Sequence, residues 1–200
     1  LATGTGHHHL QVRGSGVWGK VNWVRHKFGE VGIERLLGAV SAAGRNLLRS
    51  DVDRTAWYNF PMYIELSVAV DELFGSGDGT LNQEISCWTA HTNIPRFFSM
   101  FIRIGSVAWV LDRAAAAWAA HFNAGKLVLS ADAHEHTAYA EIVDFPMPHL
   151  VHTYSVLGYA CGMLELSGAK NVRGELVSCR SKGAEKTVFR ARWGDDEPTT

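Results

Sequence analysis

The chain has 200 residues, 46% of them hydrophobic and 20% charged, with a formal net charge of −1. That length suits one domain with a sizeable core, and the near-neutral balance gives no electrostatic reason to bind nucleic acid or an anionic membrane. Cys87, Cys161 and Cys179 lie far apart, an odd count that predicts free thiols in a reducing, cytoplasmic setting, and no apolar run reaches the ~18 residues of a membrane span.

Leu1 to His9 is rich in Gly, Thr and His and reads as a disordered segment, with no native metal role assigned to His7, His8 and His9. Leu10 to Ser15 reads as a short extended piece. Val17, Val21, Val24 and Phe28 recur at helical spacing, with Lys20, Arg25 and Lys27 mainly on the other, solvated side. Gly29 stops this helix, and a second short one carries Val31, Ile33, Leu36 and Leu37. A further turn or two covers 41–48. Ala56 to Phe60 is aromatic and extended, and Pro61 then opens a helix from Met62 to Phe74.

Gly75-Ser76-Gly77-Asp78-Gly79 has neither the preceding strand nor the lysine of a phosphate-binding loop. Thr80-Leu81-Asn82-Gln83 instead matches a capping box that starts a helix to about Thr92. Asn93-Ile94-Pro95 breaks the chain, and the apolar stretch 97–104 is predicted to be helical. Gly105-Ser106 caps a helix over 107–122, and 126–130 and 137–144 alternate as the strands of a hairpin. Pro146 and Pro148 precede the last long helix, His149 to Leu166. Gly158 and Gly162 stand four apart in it; since a helical glycine costs about 1 kcal/mol relative to alanine, they predict a face packed very close to a neighbour. Beyond Gly168 the period becomes two, giving strands at 172–179 and 187–193 around a turn at Gly183. The sum is an α+β fold, a helical N-terminal part with a C-terminal four-stranded antiparallel sheet packed by a long helix. Residues 10–193 form a single domain in this reading, and 194–200 a frayed acidic tail.

The C-terminal unit carries a resemblance. Gly158-Tyr159-Ala160-Cys161-Gly162, then Cys179-Arg180-Ser181-Lys182-Gly183, then Phe189 and Trp193 resemble the C-terminal half of the 4-vinyl-reductase domain family. That family is grouped by fold with heme-nitric-oxide-binding domains and TRAPP vesicle-transport subunits. VRGSGVWGKVNWVRHKFGEVGIERLL and GSVAWVLDRAAAAWAAHF resemble a paralogous myxobacterial family of similar length. In zinc-containing, phenol-sensing relatives the metal is held by three cysteines and a glutamate. The matching positions here are Thr153, Leu176, Cys179 and Thr187, so the resemblance implies that this chain lacks that structural zinc.

Other chemistry is sparse. His134, His136, His149 and His152 would make a metal site only if the hairpin turn met the helix start, and no metal is expected. His91 and His121 are the candidate heme ligands, but the Tyr-x-Ser-x-Arg motif of heme-nitric-oxide-binding domains is missing, and no cofactor is expected. No GxSxG, HExxH or CxxC occurs, so no catalytic residue is assigned.

The resemblance therefore implies a non-enzymatic sensor or regulatory module of signalling type that binds a small hydrophobic ligand. Phe98, Phe101, Trp109, Trp118, Tyr139, Tyr154 and Cys161 are its candidate pocket residues, although the same side chains would also serve as core. A dimeric TRAPP-like scaffold for other proteins is the alternative. A homodimer is expected in either case, from the resemblance and from Met62, Tyr63, Ile64 and Leu66, whose apolar surface exceeds one helical stripe.

Overall fold

The computed structural model describes residues 10–93, 106–132 and 135–194; the expectations for the N-terminal segment, for Phe98, Phe101 and the 97–104 helix, and for the end of the tail fall outside them. Gln11–Arg13 (β1) pairs antiparallel with Trp57–Asn59 (β2). Helix α1 spans Gly14–Ala39 but is broken at Gly29, whose φ of 63° and ψ of −159° no helix accommodates. The two helical pieces legible in the sequence are thus joined end to end. Ala42–Arg49 (α2) is capped by Ser41, and Phe60–Phe74 (α3) by Asn59, whose Oδ1 accepts from the Met62 amide.

Then follow α4 (Leu81–Asn93), α5 (Ser106–His121), the hairpin β3 (Lys126–Asp132) and β4 (Thr137–Val143), α6 (Leu150–Leu166), β5 (Arg173–Ser178) and β6 (Thr187–Arg192). The last four strands form one antiparallel sheet in the order β3-β4-β6-β5. This is the α+β architecture predicted from the alternating and helical periods. One apolar core runs through it, from Val17, Val24 and Leu36 of α1, through Phe60 and Val70 of α3, to Leu157 of α6 and Phe189 of β6.

Helix α6 sits between α4 and the sheet. An added Cβ on Gly158 would lie 2.0 Å from the Gln83 carbonyl oxygen, and one on Gly162 would lie 2.7 Å from the Ala90 Cβ. The glycine face therefore abuts α4, while Gly174 of β5 receives Cys161 and Leu157 from another side of α6.

Three expectations are corrected. The start of α4 is not held by the Thr80 hydroxyl, which donates to Asp78 Oδ1. Its free amides go instead to Asp71, buried in α3, whose carboxylate accepts from Gly79 (2.8 Å) and Leu81 (3.2 Å). Tyr63, Ile64 and Leu66 are buried inside the chain's own core, so their apolar surface is used up internally and gives no reason for a dimer. Lys20 is not on a solvated face: it is 1% exposed. The cause lies beside it. A Cβ on Gly19 would fall 2.4 Å from Thr89 Oγ1, so α4 lies directly against this side of α1 and covers the lysine.

Candidate functional site

Between α1, α4, α5, α6 and the inner face of the sheet lies a cavity of about 180 Å³. It exists because its walls are built from small residues where helices and strands face one another: Gly16, Ala114, Ala117, Ala138, Ala140 and Ala160. Trp118, Phe122, Leu127 and Phe189 supply the larger apolar surfaces.

The wall carries a fully buried amine. Lys20 Nζ donates to Asn82 Oδ1 at 2.6 Å and to Ser155 Oγ at 3.1 Å, and it stands 5.2 Å from the centre of the Tyr63 ring. Asn82 is itself held by the Ser67 and Gly79 carbonyls, and Ser155 donates to the Val151 carbonyl. Burial pulls the Lys20 pKa down from 10.5 to about 7, partly opposed by the Asp71 carboxylate. Two of its three N–H groups are thus engaged. Ser15, on the same cavity wall, has a buried hydroxyl with no hydrogen-bond partner among the described residues.

Next to this lies a second unusual group. His152 is 1% exposed and packed among Phe60, Trp118, Phe122 and Phe145, with ring centroids 4.7–5.9 Å away. Its Nε2 has no partner among the described residues. Burial, then the charges of Lys20 and His149, push its pKa down to about 3, so this ring is a neutral member of an aromatic box.

Of the residues expected around a pocket, Trp118 is buried against the cavity, with its Nε1 donating to the Ala124 carbonyl. Tyr139 borders the cavity from β4, but its neighbours Ala138 and Ala140 face inward; its ring is 40% exposed beneath the Arg190 guanidinium. Tyr154 lies away from the cavity, against Gly79 and the start of α4. Cys161 faces a different cleft with Cys87, His91 and Glu165. The side chain of Trp109 on α5 lies outside the described residues, as do Phe98 and Phe101. Sequence reasoning missed Lys20, Ser15 and Tyr63; the glycines beside them, Gly16 and Gly19, were the available signal that this side of α1 is covered.

The four positions aligned with the zinc ligands of the phenol-sensing relatives partly converge. Thr153 Oγ1 is 3.6 Å from Cys179 Sγ, which is also 3.0 Å from Ser181 Oγ, and Thr187 Oγ1 accepts from the Arg180 amide. Burial raises the Cys179 pKa, but the hydrogen bonds from Ser181, Thr153 and Thr187 outweigh it and hold the thiol below its ordinary value. Leu176 points its backbone to Phe189 in the β5–β6 ladder. Hydroxyl and thiol hydrogen bonds thus occupy this corner. His134 lies outside the described residues, and the other three candidate ligands do not converge: His149 caps α6 by accepting from the Val151 amide, His136 lies by Trp193, and His152 is in the aromatic box.

No protein family and no curated protein matches the chain by sequence. By structure it is similar to H-NOX proteins. The H-NOX protein from S. oneidensis in its Fe(II)NO ligation state superposes with a TM-score of 0.68 at 9% identity, over 92% of this chain and 99% of that one. The Fe(II) unliganded H-NOX protein from K. algicida gives 0.66 at 9% identity, over 94% and 100%. An oxygen-binding H-NOX domain related to soluble guanylate cyclases gives 0.59 at 13% identity, over 94% and 99%. At these identities the likeness is one of fold, and the fold is the heme-nitric-oxide-binding type to which the C-terminal resemblance pointed.

H-NOX proteins are a heme family, and the cavity between the described residues is too small for that group. The volume of about 180 Å³ is below the ~300–1,000 Å³ that holds drug-sized ligands, and a tetrapyrrole is larger than most of those. His121 is the one histidine among the described lining residues; its Nδ1 lies 2.7 Å from the Ala117 carbonyl, and burial lowers its pKa, an arrangement a metal-bound histidine also shows, so the misfit is one of volume. His91 faces Glu165 in the other cleft.

Proposed function

We propose that this chain is a non-enzymatic sensor module whose ligand is a small, largely apolar molecule held in the cavity below α5. The cavity itself carries the proposal: its described lining is almost wholly apolar, with a buried lysine and a serine hydroxyl that has no partner among the described residues. Its volume exceeds the ~150 Å³ that admits benzene in an apolar protein cavity and falls short of a drug-sized site. The ligand class is therefore a single-ring or short-chain molecule carrying at most one polar group.

The convergence of Thr153, Cys179 and Thr187 supports kinship with the 4-vinyl-reductase branch of the fold, since residues aligned on that family's motif meet in space. Three unpaired cysteines suit a cytoplasmic setting, and no described helix is long and apolar enough to cross a membrane. A homodimer and a signalling partner rest on the resemblance alone. The scaffold alternative has less support: on the outer sheet face Val128, Tyr139 and Val177 are separated by the Lys186–Glu141 and Arg190–Glu175 pairs rather than joined in one apolar patch.

The test uses benzene and phenol as probes. Titration calorimetry of the wild type should show saturable binding of at least one of them. Ala160→Phe, which fills the cavity from α6, should abolish it while the circular dichroism spectrum stays unchanged. Wild-type protein that binds neither probe, or a variant that binds as well as wild type, would overturn the proposal.

A further inference from the structure

The cleft on the other side of α4 and α6 holds a second site, independent of the cavity. Helix α4 presents Cys87 and His91 four residues apart, and α6 presents Cys161 and Glu165 with the same spacing. Residues four apart share one face of a helix, so each helix carries a pair of ligating groups toward the other. Gly162 makes the meeting close: its missing Cβ would lie 2.9 Å from the Cys87 carbonyl oxygen.

The result is a cluster of three different donor types. His91 Nε2 is 2.7 Å and Cys87 Sγ 3.5 Å from the same carboxylate oxygen of Glu165, and the three ligand atoms lie within 4.8 Å of one another. We propose that Cys87, His91 and Glu165 bind a divalent transition metal of the zinc class, with a fourth coordination position open to the cleft.

The geometry favours a metal over a plain ion pair. With Zn–S of about 2.3 Å and Zn–O of about 2.0 Å at a tetrahedral angle, sulfur and oxygen stand about 3.5 Å apart, which is the spacing already present. The His91–Glu165 pair needs only to open by about half an ångström for nitrogen and oxygen to reach tetrahedral separation. Thiolate, imidazole and carboxylate together select zinc among abundant divalent ions, since magnesium and calcium avoid sulfur. The side chains of His91 and Glu165 are 41% and 36% exposed, so an ion has a path from solvent. Three protein ligands with an open position resemble reactive zinc sites more than closed structural ones.

Cobalt(II) is the probe that reports the donors. Wild-type protein should bind one Co²⁺ per chain with a near-ultraviolet thiolate-to-metal band and the visible bands of a tetrahedral site, and Zn²⁺ should displace it. The nitrogen-only ligands of His7, His8 and His9 cannot give the thiolate band. Cys87→Ser should remove that band. His91→Gln and Glu165→Gln change partly exposed residues at nearly constant size and should fold normally; each should weaken binding by roughly 100-fold, at least the loss known for outer-shell partners. No thiolate band at saturating Co²⁺ in the wild type, an unchanged band in Cys87→Ser, or unchanged affinity in both glutamine variants would overturn the proposal. Should Cys87→Ser not fold, the glutamine variants decide.

Discussion

Gly158→Ala should lower the denaturation midpoint, and Gly158→Leu should lower it further, although alanine is the better helix former. A Cβ at this position would stand 2.0, 2.7 and 2.8 Å from the oxygen, carbonyl carbon and Cα of Gln83. All three are backbone atoms, so no side chain can swing aside and α4 itself must move. Helix propensity would favour alanine by about 1 kcal/mol, whereas overpacking costs ~1–3 kcal/mol and occasionally more; the second effect wins here. At Gly162 the nearest atoms are the Ala90 Cβ at 2.7 Å and the Cys87 oxygen at 2.9 Å, so Gly162→Ala should give no gain and Gly162→Leu a clear loss. Gly38, with nothing within 4 Å of its missing Cβ, is the internal control: Gly38→Ala should gain up to about 1 kcal/mol. Urea midpoints for these variants decide the matter, and a Gly158→Ala protein at least as stable as wild type would remove the close seam between α4 and α6.

Stability should also depend on pH through two buried bases, rising with pH in two separate windows on either side of neutrality. Lys20 titrates near 7 in the fold against 10.5 when solvated, and His152 near 3 against 6.5, both chiefly because burial disfavours the cation. In each case the unfolded chain holds the proton more tightly, so stability rises with pH across the window between the two values. For Lys20 that window runs from about 7 to 10.5: below it both states are protonated and nothing changes, while within it stability climbs by at most about 1.4 kcal/mol per pH unit. For His152 the window is about 3 to 6.5, and stability falls as pH drops through it. Denaturation midpoints should therefore decline in acid, level off near neutrality and rise in alkali. Lys20→Met should flatten the alkaline limb alone. His152→Phe, which keeps a ring against Phe145, should flatten the acid limb alone. An alkaline rise of the same slope in Lys20→Met would show that Lys20 is not the buried base.

The same two residues show how far the sequence could be read. His152 looked like one of several histidines near a helix start, and nothing in its neighbours announces an aromatic box built by Phe60 of α3, Trp118 of α5 and Phe145 of the β4–α6 loop. Those three lie far apart in the chain and meet only because α3, α5 and α6 converge. Lys20 sits at a helical position where a cation ordinarily faces water. Only the approach of α4 at Gly19, and the presence there of Asn82 and Ser155, make burial of the amine tolerable.

The pocket residues divide by the same logic. Trp118 falls on the apolar stripe of α5 with Ala114, and the stripe faces inward as a 3.6-residue period requires. Tyr139 is a candidate pocket residue that only borders the cavity, because the two-residue alternation of β4 sends its side chain to the face opposite Ala138 and Ala140. Cys161 and Ala160 are adjacent in sequence, yet about 100° of helical rotation separates them. Ala160 consequently lines the cavity and Cys161 the cleft.

What the sequence by itself determined is the local structure: the break at Gly29, the order of helices and strands, the antiparallel hairpins and a glycine face on α6 that had to meet something closely. These follow from periods, caps and glycine sterics, which act over a few residues. Only the tertiary structure decided that α4 is what that face meets, that the small residues on the cavity walls leave a space between the elements, and that Cys87, His91 and Glu165 share a point. Each of these is a relation between elements distant in the chain, fixed by packing as a whole, and no local spacing encodes it.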